Sequence, residues 1–114
     1  MSETASESEA YAAGTPLVGL LGDSARVKIA SVFATQRTRE FSISELARQA
    51  GVSRKTAYGH IDKLEALGVV ESRDVAQGQR YRYADDSPVA EKLYELNGVT
   101  LQRRHEIRDD IETP

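Results

Sequence analysis

The sequence predicts a mainly α-helical domain carrying a small β-hairpin, and three features support that prediction. Between Ser42 and Leu67, two runs of helical periodicity flank a single glycine. The second run has one apolar face and one face of basic, hydroxyl and aromatic groups. Behind it, after a turn signal, comes the strictly alternating segment Arg80-Tyr81-Arg82-Tyr83. At 114 residues the chain is long enough for one small core and little else.

Residues 1–16, MSETASESEAYAAGTP, are rich in Ser, Glu, Ala and Thr. They offer too little apolar area to offset the entropy of ordering, so they are expected to form a disordered acidic tail. Leu17, Val18, Leu20 and Leu21 make a short apolar cluster, read as one helical turn docked on the core, and Gly22 breaks it. Asp23 or Ser24 then caps a helix through about Thr35, with Val27, Ile29, Ala30, Val32 and Phe33 as its buried stripe. Gln36 to Glu40 reads as a charged loop, and Phe41-Ser42-Ile43 as a short strand.

The next helix presents Ile43, Leu46, Ala47 and Ala50 on one face, with Ser44 as its expected N-cap. Gly51 ends it, because glycine takes the left-handed conformation that closes a helix without steric cost. Val52 plugs the turn and Ser53 caps the second helix. At about 100 degrees per residue, Ala57, Ile61 and Leu64 fall on the inner side, with His60 at its edge. Lys55, Thr56, Tyr58, Gly59, Asp62 and Lys63 fall on the outer side. A short helix, a glycine turn and a second capped helix make a helix-turn-helix. The outer face of residues 53–67 has the chemistry of a recognition helix, whose N-terminal half touches base edges. Arg54 and Lys55 suit guanine or phosphate, Thr56 and Tyr58 suit phosphate or a thymine methyl, and Gly59 allows close approach to the groove floor.

Gly68 sits at the C-terminal cap position, and Val69 and Val70 open a strand. Ala76-Gln77-Gly78-Gln79 is the turn, and the alternation that follows puts two tyrosines on one face and two arginines on the other. A hairpin directly after a recognition helix is a wing, here residues 69–83. Arg80 and Arg82 are expected to face phosphate, joined by Arg73 from the partner strand and by Gln77 and Gln79 at the tip.

The C-terminal part, residues 85–114, begins with a linker. Ser87 then caps a helix whose first residue is Pro88, where the missing amide proton is no loss. Val89, Leu93, Leu96 and Thr100 recur at heptad-like spacing, continued by Arg103 and Ile107. This segment is expected to dimerise the chain, with folding back onto the first helix as the intramolecular alternative. Asn97-Gly98 is expected to end or kink it.

Charge divides the chain in the same way. The net charge of -3 is the balance of acidic ends and a basic middle, where residues 23–83 hold eleven Lys/Arg against seven Asp/Glu. Phosphate binding needs such a locally basic surface, whatever the global sign. The absence of cysteine excludes disulfides, thiol redox chemistry and cysteine metal sites, and fits a reducing cytoplasm. There is no apolar run long enough for a membrane span and no pattern of a secretion signal. His60 and His105 lie on different elements, and the acid pairs Asp85-Asp86 and Asp109-Asp110 read as linker and tail charges. No catalytic set, metal site or cofactor motif is expected.

The order of helix, SISELARQAGVSRKTAYGHIDKLEALGVVES and hairpin, preceded by LLGDSARVKIASVF, resembles the winged helix-turn-helix transcription regulators of bacteria and archaea. It is most similar to the ArsR-like and MarR-like groups, particularly small acidic archaeal regulators. The resemblance covers about Leu17 to Tyr83, within a DNA-binding domain expected over residues 17–84. It implies that Ser53, Arg54, Lys55, Thr56, Tyr58, Gly59 and Lys63 line the DNA-facing helix. Gly59, where a basic residue is common, and the acid Asp62 depart from the pattern. Similar regulators dimerise through a C-terminal helix, and the partners expected are double-stranded DNA and a second copy; a pocket between the first helix, the recognition helix and the last helix has room for a small-molecule effector, to which no residue set points. The second reading, from another class, is a winged helix used as a protein-protein interaction module without direct DNA readout.

Overall fold

The structure is a computed structural model and describes residues 10–112. Residues 1–9 of the expected tail lie outside the described residues, but the rest of that stretch is not a tail. Tyr11–Gly14 form a turn of 3-10 helix that buries Ala12 completely. Thr15 follows as a double-acting cap. Its hydroxyl donates to the Ala12 carbonyl at 2.9 Å and accepts from the Val18 amide at 3.4 Å, opening helix α1 (Pro16–Leu21). Alanines and a capped proline need little side-chain ordering to fill a shallow site, which the polar composition of the stretch concealed. Within α1, Leu17 reaches the core while Leu20 and Leu21 stay exposed.

Helix α2 (Ala25–Thr35) starts where the Ser24 hydroxyl accepts from the Val27 amide. It is the central helix, contacting every other helix of the domain. Ile29, Val32, Phe33 and Ala34 are fully buried, and so is Ser31, whose hydroxyl donates to the Lys28 carbonyl at 2.7 Å. That local bond removes the cost of burying a hydroxyl. Helix α3 (Ile43–Ala50) is capped by Ser42, not Ser44. Ser42 and Glu45 form a reciprocal capping box: the Ser42 hydroxyl accepts from the Glu45 amide at 3.1 Å, and the Glu45 carboxylate accepts from the Ser42 amide at 2.9 Å. Two satisfied donors outweigh the single one a Ser44 cap would supply. Gly51 ends α3 in the left-handed region at φ 74°, and a Cβ there would lie 2.9 Å from Ala10 Cβ. The turn therefore requires glycine on both conformational and packing grounds.

Helix α4 (Arg54–Ala66) buries Ala57, Ile61 and Leu64 against α2 and α3, as the spacing predicts. Strands β1 (Val70–Val75) and β2 (Gly78–Tyr83) form an antiparallel hairpin with Val70 opposite Tyr83 and Val75 opposite Gly78. Tyr81 and Tyr83 face the core and Arg80 and Arg82 the other side, confirming the alternation. The expected strand at 41–43 reduces to a single bridge. Phe41 and Tyr81 exchange both amide bonds at 2.8 Å, after which Ser42 turns the chain into α3.

Helix α5 (Pro88–Glu112) runs unbroken through Asn97-Gly98. An interior glycine costs about 1 kcal/mol relative to alanine, a cost that packing of Ala90, Leu93 and Asn97 against α1 and α2 offsets. Tyr83 ties the hairpin to this helix, its buried hydroxyl donating to the Ala90 carbonyl. Burial pushes the Tyr83 phenol up to about 12. The heptad-like stripe runs along the edge of the docked face: Leu93 and Thr100 are half-buried, while Val89, Leu96 and Ile107 remain exposed.

Candidate nucleic-acid interface

The outer face of α4 is an exposed surface with three cations and one acid. Arg54, Lys55, Tyr58, Gly59, Asp62 and Lys63 are all exposed, with Tyr58 at 51%. Among the described residues no carboxylate pairs with Arg54, Lys55 or Lys63. Ser53 and Thr56 are less available. Ser53 caps the helix by accepting from the Thr56 amide at 3.0 Å and donates its own proton to Thr56 Oγ1 at 2.9 Å. Gly59 has nothing within 4 Å of a notional Cβ, so no packing demand explains the glycine.

His60 takes a positioning role. Its Nδ1 accepts from Arg26 Nε at 3.2 Å, tying the first turn of α2 to the middle of α4. No group of three His, Asp or Glu suited to a metal ion occurs among the described residues.

The wing is connected to α4 at its base, where the Ser72 hydroxyl donates to Glu65 Oε2 at 2.8 Å. Its arginines share one face but are not presented to solvent as unpaired cations. Arg73 grips Glu40 with two bonds, Nη2 to Oε1 at 2.8 Å and Nε to Oε2 at 3.2 Å. Arg80 lies between Glu40 at 3.8 Å and Glu45 at 3.4 Å, and its Nη2 donates to the Glu40 carbonyl at 3.4 Å. Arg82 pairs with Glu71, its cross-strand partner. At the tip, Gln79 donates to Asp74 Oδ1 at 3.0 Å and accepts from the Tyr81 hydroxyl at 2.9 Å, leaving Gln77 exposed. The hydrogen bond from Arg73 holds the Glu40 carboxyl below the usual carboxylate range. The Ser42 amide does the same for Glu45, helped by Arg80.

Glu40, Glu45 and Glu71, the partners of the wing arginines, are the side chains of this face that sequence reading missed. The signals were present. Ser42-x-x-Glu45 is a capping-box pattern, and counting back from the Ala76-Gln77 turn sets Glu71 opposite Arg82. Glu40 had no local signal, because it reaches the arginines only through the Phe41–Tyr81 bridge.

This architecture, five helices and an antiparallel hairpin after the fourth, is a winged helix-turn-helix. Residues 28–74, from α2 into the wing, match the family model described as an HTH domain. The fold is shared with known transcription regulators. One is the homodimeric winged helix-turn-helix DNA-binding domain Mb0332 of Mycobacterium bovis, a possible ArsR-family regulator (24% identity, 80% of each chain, TM-score 0.56). A second is a MarR-family transcriptional regulator of Silicibacter pomeroyi (19% identity, 99% of this chain and 70% of that one, TM-score 0.60). A third is the transcriptional regulator BldR of Sulfolobus solfataricus (22% identity, 85% of this chain and 69% of that one, TM-score 0.58). No curated protein matches the chain. Among the described residues, no helix is long and apolar enough to cross a membrane.

Proposed function

We propose that the chain is a sequence-specific regulator of transcription that binds double-stranded DNA as a homodimer in the cytoplasm. The observation that carries this reading is the contrast between its two basic surfaces. Every wing arginine has a carboxylate partner, whereas Arg54, Lys55 and Lys63 on the outer face of α4 stand without one among the described residues. Unpaired cations on a capped helix, beside an exposed glycine and an exposed tyrosine, suit insertion into a major groove. In this reading residues 53–67 read the bases: Arg54 and Lys55 contact guanine or phosphate, Tyr58 contacts phosphate or a thymine methyl, and Lys63 holds the backbone. Ser53 and Thr56 set the helix start. Gln77 and Gln79 approach the duplex at the wing tip.

In the same reading residues 17–84 are the DNA-binding domain, completed by the turn at 11–16, and residues 85–114 are the dimerisation element. The open edge of α5 supports it. Leu20, Leu96, Val99, Thr100 and Ile107 line an apolar groove between α1 and α5, an exposed strip that a second copy would cover. A cleft of about 670 Å³ between the 3-10 turn, the end of α2 and α5 is the place for a small-molecule effector. It is bordered by Tyr11, Thr15, Ala34, Tyr94, Asn97 and Leu101. Asn97 Oδ1 is buried there without a hydrogen-bond partner among the described residues.

Binding to mixed genomic duplex fragments at low and moderate salt, with the bound fragments sequenced, tests the proposal. A short inverted repeat should be enriched, with affinity falling steeply as salt rises. Light scattering on the same sample should give twice the chain mass at micromolar concentration. Absence of duplex binding at either salt would shift the reading to a protein-interaction module, which the charge-balanced wing face and Asp62 favour.

A further inference from the structure

The basic middle of the chain carries a surplus of cations, yet its wing presents none of them unopposed. Six side chains, Glu40, Glu45, Glu71, Arg73, Arg80 and Arg82, form a patch of three carboxylates and three guanidiniums. The patch is built by register. Phe41 and Tyr81 bond to each other through their backbones and point inward, so Glu40, next to Phe41, emerges on the same face as Arg80 and Arg82. Glu45 joins it because the capping box fixes its carboxylate beside the Ser42 amide, 3.4 Å from Arg80.

The three arginines are not held alike. Arg80 is half-buried and bound by two carboxylates and a carbonyl. Among the described residues Arg73 is held by Glu40 alone, through both carboxylate oxygens, and its side chain is 56% exposed. An exposed pair of this kind is weak, because both partners are solvated when they separate. A duplex phosphate offers a guanidinium the same two-oxygen geometry and adds the release of condensed counterions.

Resting on the DNA-binding reading above, we infer that Glu40 is a built-in competitor of phosphate for the wing. It is a positioning residue that keeps Arg73 folded back on the wing, and so off phosphate, even when the wild type lies on a duplex. The wing then adds less nonspecific affinity than its arginine count suggests, and discrimination is left to α4. A regulator that scans long nonspecific DNA gains from that restraint, since phosphate contacts raise affinity for all sequences equally.

The test is a two-by-two set on the full chain: wild type, Glu40→Gln, Arg73→Gln and the double variant. Binding to a random duplex and to the enriched fragment is measured across a salt series. Glutamine keeps the length and a hydrogen-bonding end, so thermal melting should show the four proteins folded. Glu40→Gln should tighten random-duplex binding by up to about fivefold at low salt. It should also steepen the salt dependence by about one counterion, because one more phosphate is neutralised. Arg73→Gln should change little in the wild-type background but cancel that gain in the Glu40→Gln background. A looser Glu40→Gln protein with an unchanged salt slope would make Glu40 a mere wing support and overturn the inference. Equal losses from Arg73→Gln in both backgrounds would also overturn it, since Arg73 would then already lie on phosphate. A wild type that binds no duplex at any salt would instead remove the DNA-binding reading, and this inference with it.

Discussion

Replacing Arg54, Lys55 and Lys63 together by alanine is expected to lower duplex affinity at least about a hundredfold while leaving the fold intact. Each side chain is exposed and has no internal partner among the described residues, so its removal strips no contact from the core. Surface changes of this kind usually alter stability by no more than about 0.5 kcal/mol each. On the DNA side, a base-contacting or phosphate-contacting cation is worth roughly 1–3 kcal/mol. Three together, even at the lower bound, reach the roughly 3 kcal/mol that a hundredfold change requires. The single changes separate the roles. Lys63→Ala, far from the helix N-terminus, should weaken binding to all sequences alike and flatten the salt dependence. Lys55→Ala should also change which sequence is preferred. Gel shifts across a salt series, paired with thermal melts, provide both measurements. A triple variant that melts like the wild type and binds within threefold of it would show that α4 is not the DNA-facing element.

How much of this was legible before the structure depends on how local each signal is. Ala57, Ile61 and Leu64 could be placed inside from periodicity alone, and Gly51 and Ser53 from the chemistry of helix ends, because those signals span only a few residues. The wing was legible for the same reason: alternation at Arg80-Tyr81-Arg82-Tyr83 fixes which side chains share a face. It does not fix what those side chains meet. The partners of Arg73 and Arg80 are Glu40, in the loop before α3 and brought in by one backbone bridge, and Glu45, in the first turn of α3, 33 to 40 residues away. The N-terminal stretch failed in the opposite direction. Its composition is that of a tail, but the small side chain of Ala12 and the Thr15 cap complete the core beside α2 and α3. In α5 the Asn97-Gly98 pair looked like a break, and tertiary packing carried the helix through it.

The same bridge makes Phe41 the residue whose loss should cost the domain most. Phe41→Ala is expected to destabilise the fold by about 3–5 kcal/mol, the range for truncating a fully buried phenylalanine. The ring is wholly inaccessible and meets Phe33 of α2 edge to face, with centroids 5.4 Å apart and planes at 84°. The Arg39 guanidinium lies over it at 4.8 Å. Because whole domains of this kind are stable by only about 5–15 kcal/mol, the variant should lose a large fraction of its margin. At roughly 4–8 °C per kcal/mol, its melting midpoint should fall by on the order of 15 °C or more. Urea unfolding checks this: the midpoint should drop sharply with an unchanged slope, since the surface exposed on unfolding is nearly the same. A loss below about 1 kcal/mol would mean that the site collapses around the missing ring and that the packing is looser than its geometry indicates. Phe33→Leu combined with Phe41→Leu then asks how the wing is referenced to the helices. An interaction energy of about 0.5–1.5 kcal/mol between them is expected for an edge-to-face pair. That coupling runs from α2 through Phe41 to the backbone of Tyr81, the contact that sets Glu40 beside the wing arginines. If the two changes were simply additive, the hairpin's position would depend on Tyr83 and α5 instead.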